Sequence, residues 1–211
     1  MTVVLRDAKG RELETPGIGF AFDGTPLAYA VGAGNYYDRH PYYRLDGDAN
    51  LRIAADRDHL LAMTCSNTPP EVMARVRTPA ALSASNFQVP VRHPRHRDLV
   101  VTWTGLGQPA EVLIYRTMEK KDGLGNVTIE AGGPYAEDAI RHRIGGDASS
   151  RDRGQWTIPS TYFSGSADKV VTSITLEISA ANQGEFLKPV HGGSAITAFQ
   201  MLTLGVELVS P

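Results

Sequence analysis

Two histidines three residues apart, His93 and His96, stand with Asp98 in the run VRHPRHRD and offer two imidazoles and a carboxylate to a metal ion. On a helix that spacing would put both rings on one face. Pro94 holds the stretch extended instead, and Arg92, Arg95 and Arg97 repel a cation. A solvated basic linker is the reading these residues favour. The same six residues, Arg92 to Arg97, carry no interleaved aromatic ring on which a base could stack. With a net charge of −2 for the chain, no global field draws it to nucleic acid.

The other reactive residue types are equally dispersed. The sequences GGSAI (192–196) and GSAD (165–168) approach a nucleophile elbow but lack its closing glycine, and their neighbours are turn formers. Asp46-Gly47-Asp48-Ala49-Asn50 begins like an oxygen-ligand loop for calcium, yet Leu51 stands where glycine is required and no closing glutamate follows. A polar turn explains Asp46–Asn50, with calcium as the alternative. Lys121-Asp-Gly-Leu-Gly-Asn126 has two glycines but no following helix to cradle a phosphate, and reads as a hairpin tip. Cys65, the single cysteine, follows Leu61 and Met63 at two-residue spacing and is expected in the core as a small hydrophobe. His142, between Ile140 and Ile144, is expected as a tucked core or interface residue.

One stretch concentrates binding chemistry. Tyr36–Tyr43 reads YYDRHPYY and holds four of the chain's eight tyrosines. A hairpin with Asp38-Arg39-His40-Pro41 as its loop would set Tyr37 against Tyr42 and Tyr36 against Tyr43, on opposite faces of the ribbon. One pair then packs on the core as a staple. An exposed second pair beside Arg39, His40 and Arg44 makes a flat, hydrogen-bonding patch suited to a protein partner or a sugar ring. The candidate contact residues are therefore Tyr36, Tyr37, Arg39, His40, Tyr42, Tyr43 and Arg44. No catalytic residue, metal ligand or cofactor is assigned.

The elements that must position these residues are strands. Val170, Ile174, Leu176, Ile178 and Ala180 share one parity, and Val171, Ser173, Thr175 and Glu177 the other. Ile196, Ala198, Leu202, Leu204, Val206 and Leu208 repeat the pattern, so the last two long strands are expected to pair antiparallel. Ala110–Met118 is apolar on both parities, as a central strand would be. Shorter strands are expected at Val3–Arg6, Ile18–Phe22, Leu27–Val31, Leu51–Ala55, His59–Cys65, Val72–Val76, Phe87–Arg92, Leu99–Thr104, Val127–Ala131 and Ala139–Ile144. With 21 Gly and 13 Pro in 211 residues, helices have little room, and a short turn at Pro159–Phe163 is the best candidate. The fold expected is all-β with almost no helix, an antiparallel β-sandwich of immunoglobulin-like or jelly-roll-like kind. A proline-rich break between Pro79 and Asp98 divides it into an N-terminal lobe, 1–94, and a C-terminal sandwich lobe, 95–211. These are either two small sandwiches or two lobes of one.

From Asp98 onward, DLVVTWTG, AEVLIYRTM, GQWTIPSTYF and the alternating strand from Lys169 resemble a β-sandwich module of predicted myxobacterial surface proteins and lipoproteins. The matching positions are Trp103, Gly154, Trp156, Ile158 and Pro159. The resemblance implies that Trp103 and Trp156 are core aromatics and that Pro159 opens a corner turn. It also favours an extracytoplasmic or cell-surface setting, although Met1–Arg6 lacks the apolar run of a secretory signal. No stretch reaches the ~18 apolar residues of a membrane span.

The function expected is that of a non-enzymatic structural or interaction protein, an assembly subunit or surface module whose partner is another protein or a second copy. The alternative is a carbohydrate-binding module using the Tyr36–Tyr43 ribbon, with calcium at Asp46–Asn50 assisting. A hydrolase whose residues converge from distant strands is the third reading.

Overall fold

The computed structural model describes the chain apart from residues 1, 4–8, 10, 12–16, 32–40, 45–52, 67, 134, 146–152, 191–193 and 211. For residues 2, 3, 30, 31 and 41–44 it describes the backbone alone. The fold is all-β: largely antiparallel sheets of sandwich kind, with two short 3-10 turns, Ala84–Asn86 and Ser160–Phe163, and no α-helix among the described residues. It divides into two compact units, Met1–Thr78 with Asn182–Ala198, and Pro79–Ala181 with Phe199–Pro211. This division differs from a linear one at Pro94. The proline-rich stretch after Pro79 lies within the second unit, and a late segment of the chain returns to the first.

The first unit contains β1 (Thr2–Val3), β2 (Ile18–Phe22), β3 (Thr25–Pro26), β4 (Ala28–Val31), β5 (Pro41–Arg44), β6 (Asp58–Cys65) and β7 (Glu71–Arg77). The second supplies β8 (Phe87–Gln88), β9 (Arg92–Pro94), β10 (Leu99–Thr104), β11 (Ala110–Lys121), β12 (Val127–Ala131), β13 (Ile140–Ile144) and β14 (Arg153–Ile158). The long strands β15 (Lys169–Gln183) and β17 (Thr197–Val209) flank the short β16 (Glu185–Phe186).

In the first unit, five strands run in the order β16-β7-β6-β2-β3. The β2–β3 connection is Asp23-Gly24, both residues at positive φ (48° and 79°), which is the Asp-Gly hairpin chemistry whose twist matches its strands. Phe20, Phe22, Leu27, Leu61 and Ala74 form the core there, with Phe186 and Ile196 packed against it. Burial fades along β6. His59 and Leu61 are buried, Met63 is half-buried and Cys65 is exposed. The expectation of a core thiol fails because the strand outruns the apolar cluster before reaching it. Of the strand expected at Leu51–Ala55, residues 51 and 52 lie outside the described residues, and Ile53–Ala55 are not strand.

In the second unit, the sheet β14-β10-β8 and the sheet β12-β11-β15-β17-β9, with β13 also on β11, enclose one core. Its fully buried members include Leu99, Val101, Ile114, Ile158, Phe163, Ile174, Leu176 and Ile178. The expected parity of β15 holds from Ile174 to Ala180 and inverts below it. Thr117 faces Ser173 but Met118 faces Val171, so Thr172 is an extra residue in the ladder. This bulge turns Val171 inward (1% exposed) and Val170 outward (39%), the reverse of a strict alternation. The parity of β17 is as expected, with Val206 and Leu208 buried while Phe199 and Met201 face water. The basic run is built into this sheet: β9 pairs parallel with Glu207–Val209, so Arg92–Pro94 is strand rather than solvated linker.

Trp103 is a core aromatic, and directly opposite it in the β10–β14 register stands Gly154. Trp156 is half-buried and stacks on His142, ring centroids 4.4 Å apart. Pro159 precedes the 3-10 turn Ser160–Phe163, as the resemblance implied, while Gly154–Ile158 is a strand rather than a corner.

Candidate interaction surface

Of the expected contact residues, Tyr42, Tyr43 and Arg44 fall in β5, whereas Tyr36, Tyr37, Arg39 and His40 lie outside the described residues, as does Asp46–Asn50. The backbone of β5 is the middle of a three-stranded sheet, β1-β5-β4. Tyr43 stands opposite Tyr29 on β4 and Val3 on β1. Both ladder places beside Tyr43 are taken by these two strands, and Pro41 belongs to the strand rather than to the turn.

The residues with metal-ligand chemistry are engaged elsewhere. His93 Nε2 bonds the Arg97 carbonyl at 2.9 Å, and Asp98 accepts the Ser160 amide at 2.7 Å. Ser166 donates its hydroxyl to Asp168 within a turn. No group of three His, Cys, Asp or Glu side chains converges as a metal site among the described residues. One polar pair, a buried histidine with an exposed aspartate, was not legible in the sequence. His59 Nδ1 meets Asp23 Oδ2 at 2.5 Å, its Nε2 meets the Ala54 carbonyl at 3.1 Å, and its ring stacks on Phe22. Both ring nitrogens are occupied, so this histidine ties β6 to the β2–β3 turn and to the 54–57 loop.

What the described surface does present is the β11–β12 hairpin. Its register runs from Thr117↔Ala131 to Lys121↔Val127. The tip is folded around one carboxylate: Asp122 Oδ1 accepts the amides of Leu124 (2.9 Å) and Asn126 (2.8 Å), and Oδ2 accepts Asn126 Nδ2 (2.7 Å). Gly125 supplies the positive φ (85°) that closes the turn. On this rigid apex Leu124 is 90% exposed. The apolar residue between two glycines at a turn was the signal available in the sequence, since turn apices are ordinarily polar.

Along the hairpin, Val127 and Ile129 are also exposed, at 54% and 68%. Among the described residues, β12 is the last strand on its side of the sheet. Gly132 donates to the Arg116 carbonyl and Asp122 to that of Asn126, so the even residues of β11 turn their backbone groups toward β12. By alternation, Thr128 and Glu130 bond β11, while the N–H and C=O groups of Val127, Ile129 and Ala131 point off the sheet. Glu130 is held by Lys169 Nζ at 2.7 Å.

The Asn126 side chain, then its amide, holds the Asp122 carboxyl below its usual 3.8. A depressed pKa means the tip is held while the carboxylate is charged, and loosens as pH falls through the lowered value. Asp122→Ala removes the acceptor at every pH. The expected result is amide exchange at Leu124 and Asn126 faster by roughly tenfold, with the core amides of β10 and β15 unchanged.

No family model, curated protein or solved structure matches this chain.

Proposed function

We infer that the protein works by contact, as an assembly subunit or interaction module, and that the β11–β12 hairpin is its principal contact surface. The observation that carries this reading is Leu124, held 90% exposed on a tip that Asp122 pre-folds. An apolar knob on a rigid turn loses little entropy when it docks, which is how a small hot spot acquires affinity. Val127 and Ile129 extend the apolar strip along an unpaired strand edge, the part of a sheet most ready to accept another chain. The resemblance of the second half to surface modules supports a cell-surface setting for that contact in the same reading.

A photo-reactive benzoyl-phenylalanine at position 124 tests it in the cells that make the protein. Illumination is expected to give one discrete adduct heavier than the 22.8 kDa chain, and none from the same group at the exposed Ser85. Equal or absent adducts at the two positions would remove the hairpin as the contact surface.

A further inference from the structure

We propose that β12 pairs with β12 of a second copy of this chain, antiparallel and about a twofold axis through Ile129. The proposal rests on the hairpin being the contact surface and names the partner. It follows from which backbone groups are free. Only Val127, Ile129 and Ala131 turn their N–H and C=O off the sheet, as the Gly132–Arg116 and Asp122–Asn126 bonds require. An antiparallel neighbour must offer the same alternation, and a second β12 does. With Ile129 opposite its twin, Val127 falls opposite Ala131, and all three positions exchange main-chain bonds, about six in total.

The side chains agree with that register. Directly paired strand residues share a face, so Val127, Ile129 and Ala131 lie together with Lys121, Glu119 and Thr117 beside them. Across the axis Ile129 meets its twin and Val127 meets Ala131 of the second copy, making one continuous apolar strip. Glu119 and its twin stay three strand spacings apart, roughly 14 Å. On the other face Thr128 meets Glu130 of the second copy. No charge stands opposite a like charge.

β12 also lacks the devices that keep edges apart. It has no proline and no lysine, and its one acid, Glu130, is engaged with Lys169. Five residues per chain make a small interface, below about 1,200 Å², so the pairing belongs to the weak, reversible class.

The test is sedimentation of the full chain from ~1 µM to ~1 mM, a range that brackets weak association, for wild type, Ile129→Lys and Ile129→Glu. Wild type is expected to approach twice the 22.8 kDa chain mass at the high end. Each variant is expected to dissociate at least about 100-fold more readily, because the axis sets two like charges face to face. An equimolar mixture of the two variants is expected to recover the dimer, an outcome that only 129-against-129 pairing produces. Thermal melting checks that both variants fold, and a variant that does not is replaced by Ile129→Thr, which keeps β-propensity and removes most of the apolar strip. Amide exchange at high concentration should slow at Val127, Ile129 and Ala131 but not at Thr128 or Glu130, which are already bonded.

A wild type that stays monomeric throughout overturns the pairing, and so does a dimer that survives Ile129→Lys. Neither touches the wider reading if position 124 still cross-links to a protein of another mass. Loss of that adduct as well would remove both.

Discussion

Gly154→Ala is expected to destabilise the second unit by about 3 kcal/mol, at the upper end for an added methyl group. A Cβ built at 154 would lie 2.6 Å from Cε2 of Trp103, and closer still to the neighbouring benzo-ring carbon. Nothing nearby gives way cheaply. The indole is rigid, Trp103 is 5% exposed, and its strand β10 is clamped between β14 and β8. Removing the ring should therefore remove the penalty. Trp103→Leu leaves a cavity and costs about 3 kcal/mol by itself. In that background Gly154→Ala should become neutral or slightly stabilising, because alanine orders a strand better than glycine does. Denaturant unfolding of the four proteins gives the coupling, expected above about 2 kcal/mol. Additive losses would show that the two residues do not press on each other.

Arg116→Leu is expected to cost about 2–3 kcal/mol, less than a fully buried ion pair because water reaches part of this one. The Arg116 side chain is 19% exposed. Its Nε donates to Asp138 at 2.6 Å, its Nη1 donates to the carbonyls of Tyr162 (3.2 Å) and Ser164 (3.4 Å), and its plane covers the Tyr162 ring. Leucine replaces the volume but leaves the carboxylate and two carbonyls without their donor. Tyr162 gives the same cluster a pH signature. Burial, then the Asp138 charge, pushes its hydroxyl from 10.0 to about 12, against the opposing pull of Arg116. A pKa raised in the folded state stabilises fully below the unfolded value and is lost as pH rises. Stability should therefore fall between pH 10 and about 12. Tyr162→Phe should flatten that limb, at the cost of about 1 kcal/mol for the lost bond to the Ile114 carbonyl. Arg116→Leu should carry the limb to higher pH. An alkaline limb identical in all three proteins would exclude the cluster as its source.

Strands were legible in this chain because side-chain alternation is a local signal. Ile18–Phe22, Leu99–Thr104 and Val127–Ala131 agree with the structure to the residue, and the face of β17 could be read from its parity. Alternation says nothing about a bulge, which is set by the partner strand, so Val170 and Val171 exchanged places at Thr172. It says equally little about how far a core extends, which is why Cys65 was misplaced. That the basic run is strand could not be read locally, because its partner, Glu207–Val209, is more than a hundred residues away. The hairpin tip could be located from Asp122, Gly123 and Gly125. The degree to which Leu124 is exposed could not be read, because it depends on what packs beside the tip. The tyrosine ribbon drew attention through composition, and four of its seven named residues lie outside the described ones.

The return of Asn182–Ala198 to the first unit has a consequence for the growing chain. β7 is complete when residue 77 has left the ribosome, yet its outer neighbour β16 and the packing residues Phe186 and Ile196 come about a hundred residues later. At ~5–20 residues per second, that edge and that side of the core wait roughly 5–20 seconds for their partner. The second unit, apart from its last strand, is translated in the interval. The β7 edge thus stays without its outer neighbour for far longer than a strand closed by a hairpin does.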